Sequence, residues 1–392
     1  MLYKSIALAC LLLSAAPQGE TLVTKQQFHA DTFTTFGGSI INDVKIGYES
    51  YGKLNKQKDN AILITHYFSA NSHAAGKYAS DDPQAGYWDA IIGPGKAIDT
   101  DHYFVISVDS LVNLNANDPN TITTGPASIN PDTGKPYGLS FPVVTIRDFV
   151  NIQKAVLESL GIKQLHGVVG ASMGSMQAID WAAAYPDWVP RMISVVGSGE
   201  TDDWSSSLLE QWAIPIRLDP NWQQGDYYAS SPPLEGLTAA LMFITQAALS
   251  PEFFNQVAST SDIDHQSSQQ AILQDIHQSP AIVRWLRERA QQRARLMDAN
   301  HLLYLVRANQ LFVAGHQGEL AKGLQNVKAK SLFLPASNDL LLMPYLAKRA
   351  HQTLLALGKQ SELIELEGNL GHLNGVSLIS QQGDKIKQFL AQ

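Results

Sequence analysis

A chain of 392 residues, 45% hydrophobic and 16% charged, has an ordinary globular composition and enough length for a large core. Its formal charge of -8 argues against nucleic acid as a partner, because such proteins present basic surfaces. The single cysteine, Cys10, leaves no disulfide framework, thiol nucleophile or cysteine-held metal site once the leader is removed.

From the N-terminus, Lys4 precedes the apolar run Ser5 to Ala16, and Pro17, Gln18 and Gly19 follow. A basic start, a short apolar stretch and small residues read as a secretory signal over 1–19, so an exported, periplasmic or secreted protein is expected. The run is short for a membrane span, and no later segment reads as one. Cys10 after Ala9 offers a lipoprotein site, but the apolar stretch before it is very short.

Short apolar runs then recur: Ala61–Phe68, Tyr103–Val108, Leu165–Val169, Arg191–Val196, Ser331–Leu334 and Glu362–Leu366. Such runs suit strands of a parallel sheet covered on both faces. Helical stretches lie between them. Arg147–Leu160 is amphipathic and stops at Gly161, and Met173–Tyr185 is Ala-rich and stops at Pro186. Alternating strands and helices predict an α/β fold with a mostly parallel central sheet and helices on both faces.

The loop 109–141 is long and rich in Asn, Pro, Gly and Thr, which suits a pocket rim or a passive surface loop. Between 201 and 322 the alternation stops. Helical stretches such as Leu234–Ala248 and Ala281–Ala299 replace it, together with Trp204, Trp212, Trp222, Tyr227, Tyr228, Phe243 and Trp285. This segment reads as an inserted helical lid, with the sheet domain formed by 20–200 and 323–392. Most of its aromatics are expected to be lid core, with some lining a pocket.

The strongest local pattern is Gly170-Ala171-Ser172-Met173-Gly174, a G-x-S-x-G between a strand and a helix. That context is the nucleophile elbow of the α/β-hydrolase fold, which lifts a serine to the head of a helix. Ser172 then needs a base and an acid, in the chain order Ser, Asp or Glu, His. Asp339 follows the strand SLFLPA and His372 follows ELIELEG, so both fall on the ligand-side loops. His166, His316 and His351 follow no late strand and read as structural or surface residues. The oxyanion should meet the N–H of Met173 and, after the strand AILITHYF, the N–H of Phe68. No Walker loop, dinucleotide-binding G-x-G-x-x-G or HExxH is present, so no cofactor and no metal are expected. Arg284, Arg287, Arg289, Arg293 and Arg295 form a basic cluster that suits a solvated helix face better than a phosphorylated donor.

The stretches Gly86–Ser107, Thr123–Val150, Gly170–Val189 and Asp219–Tyr228 carry a more specific signal. In them the chain resembles the homoserine O-acetyltransferase family of the α/β-hydrolase superfamily. The resemblance implies that Ser172, Asp339 and His372 match the family triad, that the reaction is ping-pong through an acyl-enzyme, and that the protein is a homodimer. Three features depart from the family. Its lid arginine for the acceptor carboxylate falls on Ala213, with Arg217 nearby but out of register. Its G-H-D-A-F becomes Gly371-His372-Leu373-Asn374-Gly375. Its L-x-G-x-C-x-G run becomes Leu111–Thr124. All three lie on the acceptor or rim side. The expected function is therefore hydrolysis of a small ester or related acyl donor, with acetyl transfer from acetyl-CoA to homoserine as the alternative and a noncatalytic lid-cavity binder as a third reading.

Overall fold

A computed structural model describes residues 21–260 and 271–392, so the expected signal over 1–19, with Cys10, lies outside the described residues. An eight-stranded sheet organises the chain. Its strands are β1 (Gln26–Thr34), β2 (Ile40–Tyr51), β3 (Ala61–Thr65), β4 (Phe104–Val108), β5 (Gly167–Ala171), β6 (Arg191–Val195), β7 (Lys330–Leu334) and β8 (Ser361–Leu363). They lie side by side in the order β1-β2-β4-β3-β5-β6-β7-β8. The β1–β2 and β2–β4 pairings are antiparallel and the rest are parallel.

Every residue of β3, β4 and β5 is buried, which is why these strands read as unbroken apolar runs. Alternate side chains serve opposite faces. On one face Leu63, Ile106 and Val168 pack with Phe149 of α1 (Ile146–Ser159) and Met176 of α2 (Met173–Ala184). On the other, Ile62, Val105 and Val169 pack with Trp88 and with Phe389 of the C-terminal helix Gly383–Ala391.

Several boundaries differ from the sequence reading. The hairpin β1–β2 gives no continuous apolar run, because it lies at the antiparallel edge: β1 has no buried residue, and β2 mixes buried with more exposed positions. The final strand covers Ser361–Leu363, and Leu366 rejoins the sheet through a single bridge to Ala336. The stretch 281–299 is broken: one helix ends at Ala294 and the next starts at Ala299, where the Asp298 carboxylate accepts from the His301 N–H as an N-cap.

Between β6 and β7 the described chain is helical: α3 (Asp203–Leu218), α4 (Leu234–Ala248), α5 (Pro251–Thr260), α6 (Ala281–Ala294) and α7 (Ala299–Gln310). The strand-like bridge Glu200–Val313, flanked by Thr201 N–H to Phe312 O and Ala314 N–H to Gly199 O, closes this insertion at its base. Among the described residues no single helix is long and apolar enough to cross a membrane.

A buried charge cluster holds the sheet to the loop that follows β3. Glu49 of β2 has no exposed surface and accepts from Lys25 Nζ (2.8 Å), His73 Nδ1 (3.0 Å), Tyr51 Oη (2.9 Å) and Tyr78 Oη (2.6 Å). Asp109, just past β4, accepts from the Ser72 N–H (2.6 Å) and the Ile122 N–H (3.0 Å). Burial alone would raise the Glu49 carboxyl, but the His73, Lys25 and Tyr78 hydrogen bonds and the Lys25 charge outweigh it and hold it at about 2. A depressed acid stabilises the fold above its ordinary value of 4.5 and loses that contribution as pH falls toward 2. Glu49→Gln should therefore lower stability near neutral pH and flatten its fall between about pH 4.5 and 2. Urea midpoints measured across that range test this. An acid limb as steep in the variant as in the wild type would contradict it.

Candidate active site

The turn from β5 into α2 sets the site. Ser172 has φ 57° and ψ -122°, a conformation that side-chain-bearing residues rarely adopt. Its N–H donates to Val195 O (2.9 Å), which locks the turn to β6. A Cβ on Gly170 would overlap the Gly174 carbonyl and Thr65 Oγ1, and one on Gly174 would overlap the Thr65 carbonyl. Thr65 Oγ1 donates to Gly174 O (2.6 Å), so the end of β3 clamps the same turn. Both glycines are thus required by backbone-to-backbone closeness.

Asp339 and His372 come from loops after β7 and toward the C-terminus. The two side chains are buried, and His372 Nδ1–H donates to Asp339 Oδ2 (2.6 Å). The other carboxylate oxygen accepts from the Leu341 N–H (2.8 Å) and Leu342 N–H (3.0 Å), fixing the acid. With Nδ1 the donor, His372 Nε2 carries the lone pair, and this atom has no hydrogen-bond partner among the described residues. His372 lines the same cleft as Ser172, Met173 and Phe68. The residues expected for nucleophile, base and oxyanion therefore share one cavity, with the expected acid directly behind the base.

Phe68 and Met173 differ in what frees their N–H groups. Met173 opens α2, where the first N–H groups lack partners within the helix. Phe68 sits on a loop braced from below by His66, which is fully buried. His66 Nδ1–H donates to Tyr67 O (2.9 Å), while Nε2 accepts from the Ser110 N–H (3.0 Å) and from Asn113 Nδ2 (3.2 Å). Burial lowers its pKa, which keeps this neutral tautomer. Asn113 also donates to Ala70 O and Asn115 to Ser69 O, so the start of the 109–141 loop scaffolds the 66–70 turn. Sequence reasoning missed His66, Thr65 and Asn113 in this role, since their partners lie far away in the chain.

The three competing histidines are engaged elsewhere. His166 Nε2 meets Leu390 O (2.7 Å), His351 Nδ1 meets Ser361 Oγ (2.8 Å), and His316 packs on Phe36 and Phe312.

The cleft has a cavity volume of about 80 Å³ and is mainly apolar, walled by Leu209, Trp212, Ile244, Leu342, Leu373 and Val376. Trp212 meets Phe68 edge-on at 5.4 Å, and of the lid aromatics singled out from sequence it alone lines this cleft among the described residues. Tyr227 and Tyr228 instead donate to Asp298, and Trp204 is exposed. Ala213 is fully buried in α3, and Arg217 turns outward to pair with Glu210 at the surface. No group of three or more His, Cys, Asp or Glu suited to a metal ion occurs among the described residues.

Comparisons with known proteins agree with this fold. Residues 85–376 match the family model described as alpha/beta hydrolase fold. The homoserine O-acetyltransferase of Deferribacter desulfuricans is 34% identical over 375 residues, covering 94% of this chain and 95% of that protein. The crystal structure of esterase E22 superposes with a TM-score of 0.90 at 63% identity, over 94% of this chain and 100% of that one. The crystal structure of homoserine O-acetyltransferase from Bacillus anthracis gives 0.89 at 37% identity, over 95% and 98%.

Gly174→Ala tests the turn. Its Cβ meets backbone of β3 that has no room to move, so a loss of roughly 2–4 kcal/mol in unfolding free energy is expected by chemical denaturation. A variant within about 0.5 kcal/mol of wild type would show that the turn tolerates a side chain there.

Proposed function

The chain belongs to the homoserine O-acetyltransferase family of α/β hydrolases, and from that premise we propose that it is an exported esterase that cleaves its substrate through an acyl-enzyme on Ser172. His372 Nε2 takes the Ser172 hydroxyl proton as Oγ attacks the ester carbonyl. Asp339 holds the imidazole in the required tautomer and stabilises its cation. The Met173 and Phe68 N–H groups receive the developing oxyanion. The alkoxide leaves with the proton from His372. Water, deprotonated by the same histidine, then attacks the acyl carbonyl and regenerates Ser172.

One observation carries the choice of water over an amino acid. Among the described residues lining the cleft there is no Asp, Glu, Lys or Arg. A homoserine acceptor brings an ammonium and a carboxylate, and each is costly to desolvate without a charged partner. Leu373, beside His372, adds apolar surface where a charge would be needed. Water requires no such groups. Likeness to esterase E22 at 63% identity supports the same reading. The apolar N-terminal run supports export, away from cytosolic acetyl-CoA and homoserine.

A second reading, acetyl transfer to homoserine with the acceptor held by other residues, draws on the 34% identity to a named acetyltransferase over nearly the whole chain.

Mass spectrometry of the intact protein mixed with p-nitrophenyl acetate at low pH should show one added acetyl group, mapped to Ser172. Ser172→Ala should take no label and lose roughly 10³-fold or more in turnover. A Ser172→Ala protein that hydrolyses the ester at the wild-type rate would remove the mechanism. Asp339→Asn should lower kcat by about 10²–10⁴-fold with little change in KM, because the histidine loses its required tautomer. Steady-state kinetics on the folded variant check this, and an unaltered kcat would contradict the role given to Asp339.

A further inference from the structure

A second cavity, of about 300 Å³, adjoins the Ser172 cleft. Tyr67 and Ser69 line both, on either side of Phe68 in the chain. A serine side chain is too small to hold two cavities far apart, so the second lies within about one residue's width of the loop that carries the Phe68 N–H. Its lining differs in character from that of the cleft. Asn115, Asp118 and Asn120 come from Leu111–Thr124, the stretch in which the chain departs from the family's L-x-G-x-C-x-G run. Asn71 and Gln84 add two further amides. Lys and Arg are absent from the described lining, and the one carboxylate, Asp118, accepts from the Asn120 N–H (2.8 Å).

The rings of this cavity are fixed from behind. His73 Nδ1–H donates to Glu49 (3.0 Å), and its ring stacks on Tyr78 at 4.2 Å. Tyr78 Oη donates to the same carboxylate (2.6 Å), and Tyr67 meets Tyr87 edge-on at 5.1 Å. Asn71 is engaged at both ends, donating to Thr121 Oγ1 (2.9 Å) and accepting from the His73 N–H (3.0 Å). The Gln84 and Asn120 amides and the Ser69 and Tyr67 hydroxyls, by contrast, enter no hydrogen bond among the described residues. An amide head sets a donor beside an acceptor, which matches two neighbouring hydroxyls. Tyrosine rings offer flat apolar faces with a polar tip, which suit a saturated ring that carries hydroxyls at its rim. Walls already held in place lower the ordering cost of binding. An anion would meet Asp118 with no lysine or arginine in the lining to offset it. A purely apolar group would leave the amides without partners in the ligand.

We propose that this cavity receives the alcohol part of the substrate and that the alcohol is a sugar, so that the preferred esters are carbohydrates carrying a small acyl group. This rests on the acyl-enzyme reading of Ser172 and adds a substrate class to it. The acyl group enters the apolar cleft, and the sugar ring lies beyond Ser69 and Tyr67 against the amides. Attack by Ser172 breaks the bond between the acyl carbon and the sugar oxygen. That oxygen takes the proton from His372, and the free sugar departs through the polar cavity while water resolves the acyl-enzyme.

The test uses the full chain and matched primary acetates on a six-membered ring. Methyl 6-O-acetyl-α-D-glucopyranoside and its galactose counterpart are each compared with cyclohexylmethyl acetate, which has the ring without the hydroxyls. Every rate is divided by that of alkaline hydrolysis, which removes the difference in leaving alcohol. In the wild type, at least one sugar ester should exceed the carbocyclic ester in kcat/KM by about tenfold, mainly through KM. The double variant Gln84→Ala, Asn120→Ala should bring that ratio close to one. Ratios at or below one for both sugars in the wild type, or the same ratio in wild type and double variant, would overturn the site. If the double variant does not fold, the wild-type ratios decide alone. Acetyl labelling of Ser172 by p-nitrophenyl acetate separates the two levels. With the label present and no preference for a sugar ester, only the reading of this cavity fails. With turnover but no label at Ser172, the acyl-enzyme reading fails and this inference with it.

Discussion

The site depends on one backbone constraint, the turn that carries Ser172 at φ 57° from β5 into α2. That turn exists only because two glycines let strand, helix and the end of β3 approach to backbone contact. Its strain is offset by the Ser172 N–H to Val195 O bond and by the Thr65 clamp on Gly174. Everything that acts on Ser172 is placed relative to this point. In the proposed mechanism the helix start supplies one N–H for the oxyanion and the loop after β3 another, while the C-terminal loop brings His372, backed by Asp339, to the same cavity. Backbone placement of this kind needs little reorganisation when charge develops.

A second layer holds the first. The neutral His66, the Asn113 amide and the Glu49–Lys25–Asp109 cluster fix the loop that bears Phe68. These groups are buried, and each has partners distant in the chain. Their cost is met by hydrogen bonds that leave the loop in one conformation. The apolar lid wall, with Trp212 against Phe68, completes a cleft suited to an acyl chain and poorly suited to a zwitterion.

How much of this was legible in sequence follows from the range of each interaction. The elbow is local: five consecutive residues and their flanking strand and helix carry it. The placement of Asp339 and His372 follows from strand ends and chain order, and the structure brings both to the Ser172 side of the sheet. The buried parallel strands are legible because burial on both faces makes them continuously apolar. The β1–β2 hairpin lacks that signature at an antiparallel edge. The break between Ala294 and Ala299 depends on a single N-cap, which a helical periodicity passes over. His66 and Asn113 are separated by 47 positions and follow no pattern a local reading detects. Composition suggested seven lid aromatics as candidates for the pocket, and packing places only Trp212 of them at the cleft among the described residues. The basic run on α6 reads as one solvated face, yet its arginines meet different groups of α4: Arg287 pairs with Glu235, and Arg293 donates to Thr245.

The central claim is that water resolves the acyl group carried by Ser172. The most direct measurement is the partition of that group: p-nitrophenyl acetate is turned over in rising homoserine, and acetate and O-acetylhomoserine are quantified together. Acetate should be the dominant product at every homoserine concentration, with the rate of p-nitrophenol release unchanged. O-Acetylhomoserine that rises to replace acetate in a saturable way would contradict it and assign the acyl-enzyme to transfer.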